Sequence, residues 1–487
     1  MSVFTLEASL ALLGLVLLLL EAFRPEISRR TLGYTAMAGT ALALVLLPLC
    51  GTQLPAFMQP WHQIDTLALF YKGFALVITL LVLWLTLECA PYLTRFTLDG
   101  KLAEMFSLPL IVCAGMMWMA SARDLVTVFI CLELVTISFY VLVAFARKSA
   151  LSLEAGVKYL ILGALSTGVL VYGIAWVYGA TGSMNFDAIG KALANPATSK
   201  ATALFGAALI LVGLGFKVAA APFHMWVPDV YQGAPTPVTT FLSVGSKAAG
   251  FVVLTRALDA FMAKGSVIAD EVQGVLLVGG SLTVLLGSLP AIYQTSVKRL
   301  LAYSSISHAG YLLLALACGG DGRFGLGGSG IVAFYLATYL PMTVLGFLAL
   351  GVMRLNGQGE DLGDFQGLAK RSPVLALVIT IAYASLAGLP LTAGFIGKMF
   401  VFLSLVDQGY WGALTCAVIA AAAGFYYYFR IILSMYTNEG AEKPALTLAP
   451  LTKAIACGLA VIILVLGVYP RPLQKVLTPP AAGVVMK

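Results

Sequence analysis

Five ionisable side chains lie deep inside apolar stretches of the chain: Glu133, Lys217, Lys247, His308 and Lys398. Each stretch is long enough to cross a bilayer. A charge near the bilayer centre costs about 2.5–3.5 kcal/mol on insertion scales, so a stable membrane protein keeps few of them. Titratable groups at similar depth in five segments therefore favour a path for protons or ions through the membrane interior.

Glu133 and Lys217 are the candidate pair for a proton switch. Burial in general disfavours the charged form of a lysine, and a nearby carboxylate restores it. A buried lysine whose carboxylate partner moves therefore holds its proton when the pair is engaged and releases it when the pair separates. The alternative is a static salt bridge that fixes two helices together.

Lys247 needs a polar environment supplied by other groups, because a mid-membrane lysine that faces lipid is unfavourable. Thr239, Ser243 and Ser246 precede it in the same stretch and could hold water beside it. We therefore expect an interior aqueous site around Lys247.

His308 lies within a run of small and polar residues, 303–311. One interpretation is a water-linked relay between Lys247 and Lys398. The other is a buried histidine whose hydrogen bonds are satisfied and whose role is structural.

Three further residues are candidates for a secondary relay or for proton access. His224 follows Lys217 by seven residues, which on a continuous helix places both on one face. His224 then either feeds protons inward or anchors the segment at the membrane interface beside Trp226. Glu154 and Lys158 are four residues apart, a spacing that stabilises a helix and also fits proton access.

Transmembrane helices must position all of these residues. Of 487 residues, 60% are hydrophobic and only 10% are charged, whereas soluble domains carry about a quarter charged residues. Segments of about 20 apolar residues recur along the chain, which predicts an all-α integral membrane bundle rather than a barrel. The fourteen predicted spans are 4–22, 31–50, 67–88, 103–121, 125–146, 155–179, 203–224, 236–258, 270–291, 299–318, 328–353, 373–404, 409–436 and 451–470.

Composition excludes several other classes of protein. The net charge is +7, but the sequence contains no basic run, so the charge does not indicate a nucleic-acid partner. The seven cysteines have no C-x-x-C spacing and the three histidines no metal-ligand spacing, so disulfide, iron–sulfur and metal sites are not predicted. A P-loop and a dinucleotide fingerprint are absent from the sequence, so ATP or NADH is not expected to bind here. The segment 4–20 reads as a retained first helix rather than a signal peptide.

The predicted helices divide into repeats. An N-terminal three-helix segment, 1–102, precedes a first five-helix repeat, 103–258. An inverted second repeat, 270–436, and a C-terminal helix, 451–470, complete a single polytopic domain. Five is an odd number, so the second repeat has to begin on the opposite side of the membrane from the first, as in inverted-repeat transporters.

Helices seven and twelve are predicted to be broken, at Pro222 and Pro390. Proline removes an intrahelical hydrogen bond, and the freed carbonyl groups can bind water or a protonated side chain. Each proline lies near a lysine, Lys217 in one helix and Lys398 in the other.

The distribution of basic residues predicts the orientation of the bundle. Under the positive-inside rule the loops richer in Lys and Arg face the cytoplasm, which places both termini outside. Three basic residues of the external tail run against this bias: Arg471, Lys475 and Lys487. The loops expected inside carry Arg24, Arg29, Arg30, Arg95, Lys101, Arg147, Lys148, Lys298, Arg299, Arg354, Lys370, Arg371 and Lys443, and the opposite loops carry mainly Arg123, Lys191, Lys200, Lys264 and Arg323.

Two long motifs resemble the antiporter-like subunits of respiratory complex I. Residues 213–238 read GLGFKVAAAPFHMWVPDVYQGAPTPV, and residues 294–308 read QTSVKRLLAYSSISH. The similarity in helix number covers essentially the whole chain. It implies a proton-translocating membrane subunit of a bacterial NADH:quinone oxidoreductase in the inner membrane, and the distribution of basic residues then places both termini in the periplasm.

The resemblance also implies roles and partners. Glu133 and Lys217 would be the switch pair, Lys247 the bridge and Lys398 the lysine on the exit side. This chain would bind no redox cofactor, and FMN, iron–sulfur clusters and quinone would belong to partner subunits. Its partners would be the other complex I subunits, above all neighbouring antiporter-like subunits, together with membrane lipid.

Three other functions remain open at this point. An Mrp-like cation/proton antiporter would use the same row of lysines without redox coupling, and sodium dependence would distinguish it. A membrane-bound hydrogenase subunit is possible within the wider family. A structural scaffold subunit would require the lysines to be static.

Overall fold

The structure, a computed structural model, describes residues 2–24, 26–97, 100–319, 325–437 and 444–478. Throughout these ranges the regular secondary structure is helical, without a strand. Three positions used for the predicted orientation, Arg323, Lys443 and Lys487, lie outside the described residues.

Twenty α-helices make up the described part of the chain. A π-helical turn, Leu242–Ser246, joins α10 to α11 without a loop. The helices are α1 Val3–Phe23, α2 Arg29–Leu46, α3 Thr66–Leu93, α4 Ala103–Ser121, α5 Leu125–Val143, α6 Ala150–Thr181, α7 Phe186–Leu193, α8 Lys200–Val218, α9 Val227–Gly233, α10 Thr236–Phe241, α11 Lys247–Phe261, α12 Ala269–Ala291, α13 Val297–Cys318, α14 Gly328–Leu355, α15 Leu368–Arg371, α16 Pro373–Ala387, α17 Ala393–Asp407, α18 Trp411–Tyr436, α19 Pro450–Val468 and α20 Arg471–Leu477.

The predicted spans correspond closely to these helices. Among the described residues thirteen helices are long and apolar enough to cross a membrane, and the pair α16–α17 accounts for the predicted twelfth span. The largest difference is in the seventh span, which ends at Val218 rather than at residue 224. Ala219 adopts a left-handed backbone conformation (φ 66°), which stops the helix before the proline is reached.

Lipid exposure separates an outer layer of helices from an inner one. The segment Thr236–Phe261, α13 and α14 are almost entirely buried, whereas α1, α2, α6 and α19 expose large apolar side chains. Lysine and histidine can be retained on the inner helices because lipid does not reach them there.

Short polar side chains begin many of the helices. Asp65 accepts a hydrogen bond from the backbone N–H of Ala68, and Asp124 accepts two at the start of α5. Serine caps at Ser149, Ser199 and Ser296 begin α6, α8 and α13 in the same way. These caps satisfy backbone N–H groups that the first turn of each helix leaves without an intrahelical partner.

A local Asp65–Lys72 pair, which their spacing of seven suggests, does not form. Asp65 caps α3 and receives two hydrogen bonds, of 3.1 and 3.0 Å, from the Arg256 guanidinium. Lys72 points the other way, into the bundle, where it pairs with Glu7 of α1. Tertiary partners outcompete the local one because two turns of helix separate Asp65 from Lys72.

Glycines allow α12 and α13 to pack with their backbones in contact. A methyl group added at Gly287 would lie 2.7 Å from the Cα of Ser307, and one added at Gly310 would lie 2.5 Å from the amide nitrogen of Val284. Both distances are shorter than any tolerated contact. Small residues at a helix crossing are typical of tight membrane packing.

We expect Gly287→Ala to destabilise the chain by about 1–3 kcal/mol, because the added methyl overpacks this backbone crossing. Gly279→Ala on the same helix is the matched control, since nothing lies within 4 Å of its new methyl. Thermal unfolding of the purified protein in detergent measures both. Equal melting temperatures for the two variants would contradict the packing described here.

Candidate functional site

Lys217 lies at the last turn of α8, where the helix stops inside the bundle. Its side chain is only 5% exposed. Its Nζ donates a hydrogen bond of 2.7 Å to Thr136 Oγ1 on α5. The carboxyl end of a helix carries unpaired carbonyl groups and a partial negative charge, so this location favours a cation.

Glu133 lies one turn before Thr136 on α5 and is half-buried. Its carboxylate accepts a hydrogen bond of 2.8 Å from Thr167 on α6. None of the ion pairs within the described ranges joins Glu133 directly to Lys217, although the carboxylate acts electrostatically on that lysine. In the structure the Lys217 ammonium is therefore held by Thr136, and the predicted pair is not in direct contact.

Lys247 follows the π-helical turn and is 2% exposed. Its Nζ donates to both the backbone carbonyl and the hydroxyl of Ser305 on α13. The hydroxyl of Ser305 also lies 3.3 Å from that of Tyr231. Of the hydroxyls predicted to surround Lys247, Ser243 instead bonds to Tyr339, at 3.1 Å.

Lys217 and Lys247 lie on helices that touch. Gly250, one turn after Lys247, faces α8, where an added methyl would lie 3.3 Å from the Cγ of Lys217. The absence of a side chain at Gly250 lets the two lysine-bearing helices approach closely.

His308 lies at the centre of a cluster of tyrosines. Its Nδ1 is 2.7 Å from the hydroxyl of Tyr335, and its Nε2 is 3.3 Å from the hydroxyl of Tyr428. The Tyr428 hydroxyl continues to Ser304, one residue before the serine that binds Lys247. His308 thus has both ring nitrogens satisfied, and it also belongs to a hydrogen-bonded chain.

Lys398 binds to the break in the twelfth span. Its Nζ donates to the carbonyl groups of Leu386 and Ala387, at 2.8 and 2.9 Å, which are the last two residues of α16. The ring of Tyr311 lies 5.5 Å from the ammonium, within range of a cation–π contact. Gly388 supplies the left-handed turn (φ 94°) that ends α16.

His224 and Lys217 do not share a helix face, contrary to their spacing. The helix ends between them at Val218, so the seven-residue period does not apply. Trp226 is a core residue rather than an interfacial anchor: it is 4% exposed and donates a hydrogen bond of 3.1 Å to the Phe216 carbonyl. His224 is half-buried in the connecting loop.

Glu154 and Lys158 form the predicted pair, at 2.8 Å, and belong to a larger ion cluster. Lys158 also binds Asp229 on α9, at 2.7 Å. Arg299 at the start of α13 binds the same carboxylate, at 2.8 Å. The cluster therefore fastens α9, which follows the break after α8, to α6 and α13.

A second ionic group closes the same end of the bundle. Lys298 is 4% exposed, donates a hydrogen bond of 2.8 Å to the Ala234 carbonyl and lies 3.7 Å from Glu360. Arg354 Nε lies 3.0 Å from the same carboxylate oxygen, Oε1. Burial alone raises the pKa of Glu360, but the charge of Lys298 and the hydrogen bond from Arg354 outweigh it and hold that pKa below its usual range.

Sequence reasoning missed the acceptors of the buried lysines. Thr136 and Ser305 are hydroxyl residues among many in the spans, and only the packing shows which of them bind lysine. Asp229 and Arg299 lie inside the two long motifs, which was the available signal for them. Within the described part of the chain, no group of three or more His, Cys, Asp and Glu side chains is placed to hold a metal ion.

This geometry defines a class of protein: a polytopic helical bundle that holds three lysines and a histidine on buried, hydrogen-bonded positions beside two broken helices. Residues 122–424 match the family described as NADH:quinone oxidoreductase/Mrp antiporter, TM. The chain belongs to this family, as the two sequence motifs predicted.

Similar proteins extend the match over the full length. The chain is 36% identical to NADH-quinone oxidoreductase subunit N of Desulforamulus reducens, over 99% of this chain and 98% of that protein. It is 41% identical to subunit N 2 of Roseiflexus castenholzii, over 94% and 91% of the two chains.

Solved structures share the fold. A chain of respiratory complex I from Thermus thermophilus superposes with a TM-score of 0.80 at 33% identity, covering 96% of this chain and 98% of that one. A chain of the archaeal membrane-bound sulfane sulfur reductase gives a TM-score of 0.84 at 26% identity, covering 97% and 96%.

We expect Glu360→Gln to lower the free energy of unfolding at neutral pH by about 1.5–3 kcal/mol, the range for hydrogen bonds to charged groups. Because the folded pKa of Glu360 is depressed, its stabilising effect is complete above the ordinary glutamate pKa of about 4.3 and is lost as pH falls through the folded value. Thermal unfolding of wild type and variant, compared at neutral pH and well below pH 4, should show the difference closing. A difference that does not depend on pH would contradict this account.

Proposed function

We propose that this chain is a proton-translocating membrane subunit of an NADH:quinone oxidoreductase. The observation that carries the proposal is the way in which its buried lysines are held. Lys217, Lys247 and Lys398 each bind neutral oxygens, from a threonine, a serine and two carbonyl groups. A buried ammonium held only by neutral acceptors pays a high cost for its charge, so each lysine is poised to exchange a proton.

The proposed sequence of events begins at Glu133 and Lys217. Quinone chemistry in neighbouring subunits would perturb charged groups at their interface, and the pair would respond by closing or separating. A proton released by Lys217 would pass to Lys247 through water and hydroxyl groups, then by way of His308 to Lys398 and out. His224, Glu154 and Lys158 would contribute at most to proton access.

The energies involved are compatible with this mechanism. Moving one proton against the membrane field costs about 2.3 kcal/mol per 100 mV. A change of two pKa units corresponds to about 2.7 kcal/mol, within the range that burial and a moving carboxylate produce.

The redox groups would lie elsewhere in the complex. We propose that this chain itself binds no cofactor, and that FMN, iron–sulfur clusters and quinone are held by partner subunits. Its direct partners would be the neighbouring antiporter-like membrane subunits.

We further propose that the protein lies in the bacterial inner membrane with both termini in the periplasm. The division into 1–102, 103–258, 270–436 and 451–470 would then correspond to a three-helix segment, two inverted repeats and a final helix. The corresponding breaks after α8 and after α16, each beside a lysine, support this division.

We expect Lys217→Ala and Lys247→Ala to abolish most NADH:quinone electron transfer and proton uptake together. Both rates would be recorded in membrane vesicles that contain the assembled complex. Lys200→Ala is the matched control, because Lys200 begins the same helix as Lys217 but is about half exposed and pairs with Glu271 at the surface.

Assembly of each variant complex would be confirmed first, since a missing subunit mimics a catalytic defect. Wild-type rates in both lysine variants would mean that the lysines are static and the chain is a scaffold. Proton uptake that requires added sodium would indicate a cation/proton antiporter instead.

Glu133→Gln separates a switch from a static salt bridge. The amide keeps a hydrogen-bond acceptor for Thr167 but removes the charge that acts on Lys217. We expect proton uptake and electron transfer to fall several-fold in the assembled complex, with little change in melting temperature. Normal uptake with a lowered melting temperature would instead support a purely structural pair.

A further inference from the structure

A second group of buried ionisable residues lies at the end of the bundle where the chain begins. We call it the N-terminal cluster. It consists of Glu7 on α1, Lys72 on α3, Ser121 at the end of α4 and His62 in the loop before α3.

An ion pair forms the core of the N-terminal cluster. Glu7 is 2% exposed and Lys72 is 1% exposed, and the ammonium hydrogen-bonds directly to the carboxylate. A buried pair is weak evidence for stability, because the cost of desolvating two charges offsets their attraction. Stability alone therefore does not account for this pair.

Hydrogen bonds lead from this pair toward the surface. Lys72 Nζ also donates to Ser121 Oγ, at 3.0 Å, and the same hydroxyl lies 3.3 Å from Nδ1 of His62. The loop is held in place by backbone bonds of 2.8 Å from Gln63 to Ser121 and from Arg123 to Trp61. His62 is therefore fixed against the serine.

Solvent reaches the outer end of the N-terminal cluster. His62 is half-buried, and the neighbouring Gln63 lines an open cavity of about 450 Å³. Ionic side chains make up much of the cavity wall: Arg123, Asp187, Lys191, Arg256, Asp259 and Lys264. Burial, and after it the charge of Lys72, lowers the pKa of His62 to about 4, so the neutral imidazole is favoured at neutral pH.

The inner end of the N-terminal cluster lies toward Lys247. Thr79 follows Lys72 by seven residues, so it lies on the same face of α3 two turns deeper, and it is fully buried. Its neighbour Ile78 packs against Gly245, where an added methyl would lie 3.4 Å away. Gly245 belongs to the π-helical turn immediately before Lys247.

We propose that the N-terminal cluster is a proton relay that connects the region of Lys247 with the end of the bundle where the chain begins. This inference rests on the proposed function. It adds a lateral route to the one through His308 and Lys398. It also gives a role to the N-terminal helices, which carry none of the residues of that first route.

The proton balance of the relay is closed. The Lys72 ammonium transfers a proton to the Ser121 hydroxyl, whose own proton passes to Nδ1 of His62. The imidazolium then loses the proton on Nε2 to solvent, and tautomerisation through water restores a free Nδ1. The neutral Lys72 amine takes up the next proton from the centre by way of Thr79, and Glu7 stays ionised to stabilise the refilled ammonium.

Two variants of the assembled complex test this relay. His62→Gln keeps a side chain that can bond to Ser121 but cannot carry a proton. The double variant Glu7→Gln/Lys72→Met removes both charges together, so it leaves no unpaired ion in the bundle. Lys247→Ala serves as the reference for lost pumping and Lys200→Ala as the control.

We expect both variants to assemble like wild type and to lose proton uptake in vesicles several-fold, although less than Lys247→Ala does, because the route through His308 and Lys398 remains. If either keeps wild-type uptake while Lys247→Ala loses it, the relay is refuted and Glu7–Lys72 is a static clamp, whereas the proposed function stands. If Lys247→Ala itself keeps wild-type uptake, the proposed function fails and the relay fails with it. If the double variant does not assemble, the proton uptake of His62→Gln alone tests the relay.

Discussion

The cost of keeping an ammonium group inside a bundle that lipid surrounds shapes much of this structure. Such a group needs oxygen acceptors, and a regular helix offers few, because each carbonyl group already accepts a backbone N–H and keeps only its second lone pair, as at Ser305. The acceptors come from two sources. Hydroxyl side chains from neighbouring helices reach Lys217 and Lys247, and a helix end is opened for Lys398.

The interruptions of helical structure are therefore where the chemistry can occur. Lys217 lies at the end of α8, Lys247 follows a π-helical turn, and Lys398 binds to the end of α16. All five residues of the π-helical turn are buried, so its free backbone groups meet protein rather than lipid. The tight glycine-mediated crossing of α12 and α13 supports this enclosure, because it leaves no room for lipid between the helix that carries His308 and its neighbour.

Much of this could be predicted from sequence, and the reasons are physical. Apolar length sets helix number directly, which is why all fourteen spans correspond to helices or a helix pair. Lysines are easily recognised in apolar segments, so Lys217, Lys247 and Lys398 could be identified as candidates from the sequence. The seven-residue spacing gave a wrong prediction for His224, because Ala219 adopts a left-handed conformation and ends the helix before Pro222 is reached. Glu7 was missed because it lies only a few residues from the start of α1, where a carboxylate is ordinarily solvated.

The attachment of Lys398 to the carbonyl groups of Leu386 and Ala387 has a mechanical meaning. The lysine belongs to α17 but caps α16, so its side chain ties the two halves of one interrupted helix across the turn at Gly388. A charged ammonium is a strong cap for carbonyl groups, and a neutral amine is a weak one. If Lys398 exchanges protons as proposed, each proton gained or lost would strengthen or weaken this connection between α16 and α17, so that protonation would change the stiffness of the interrupted helix.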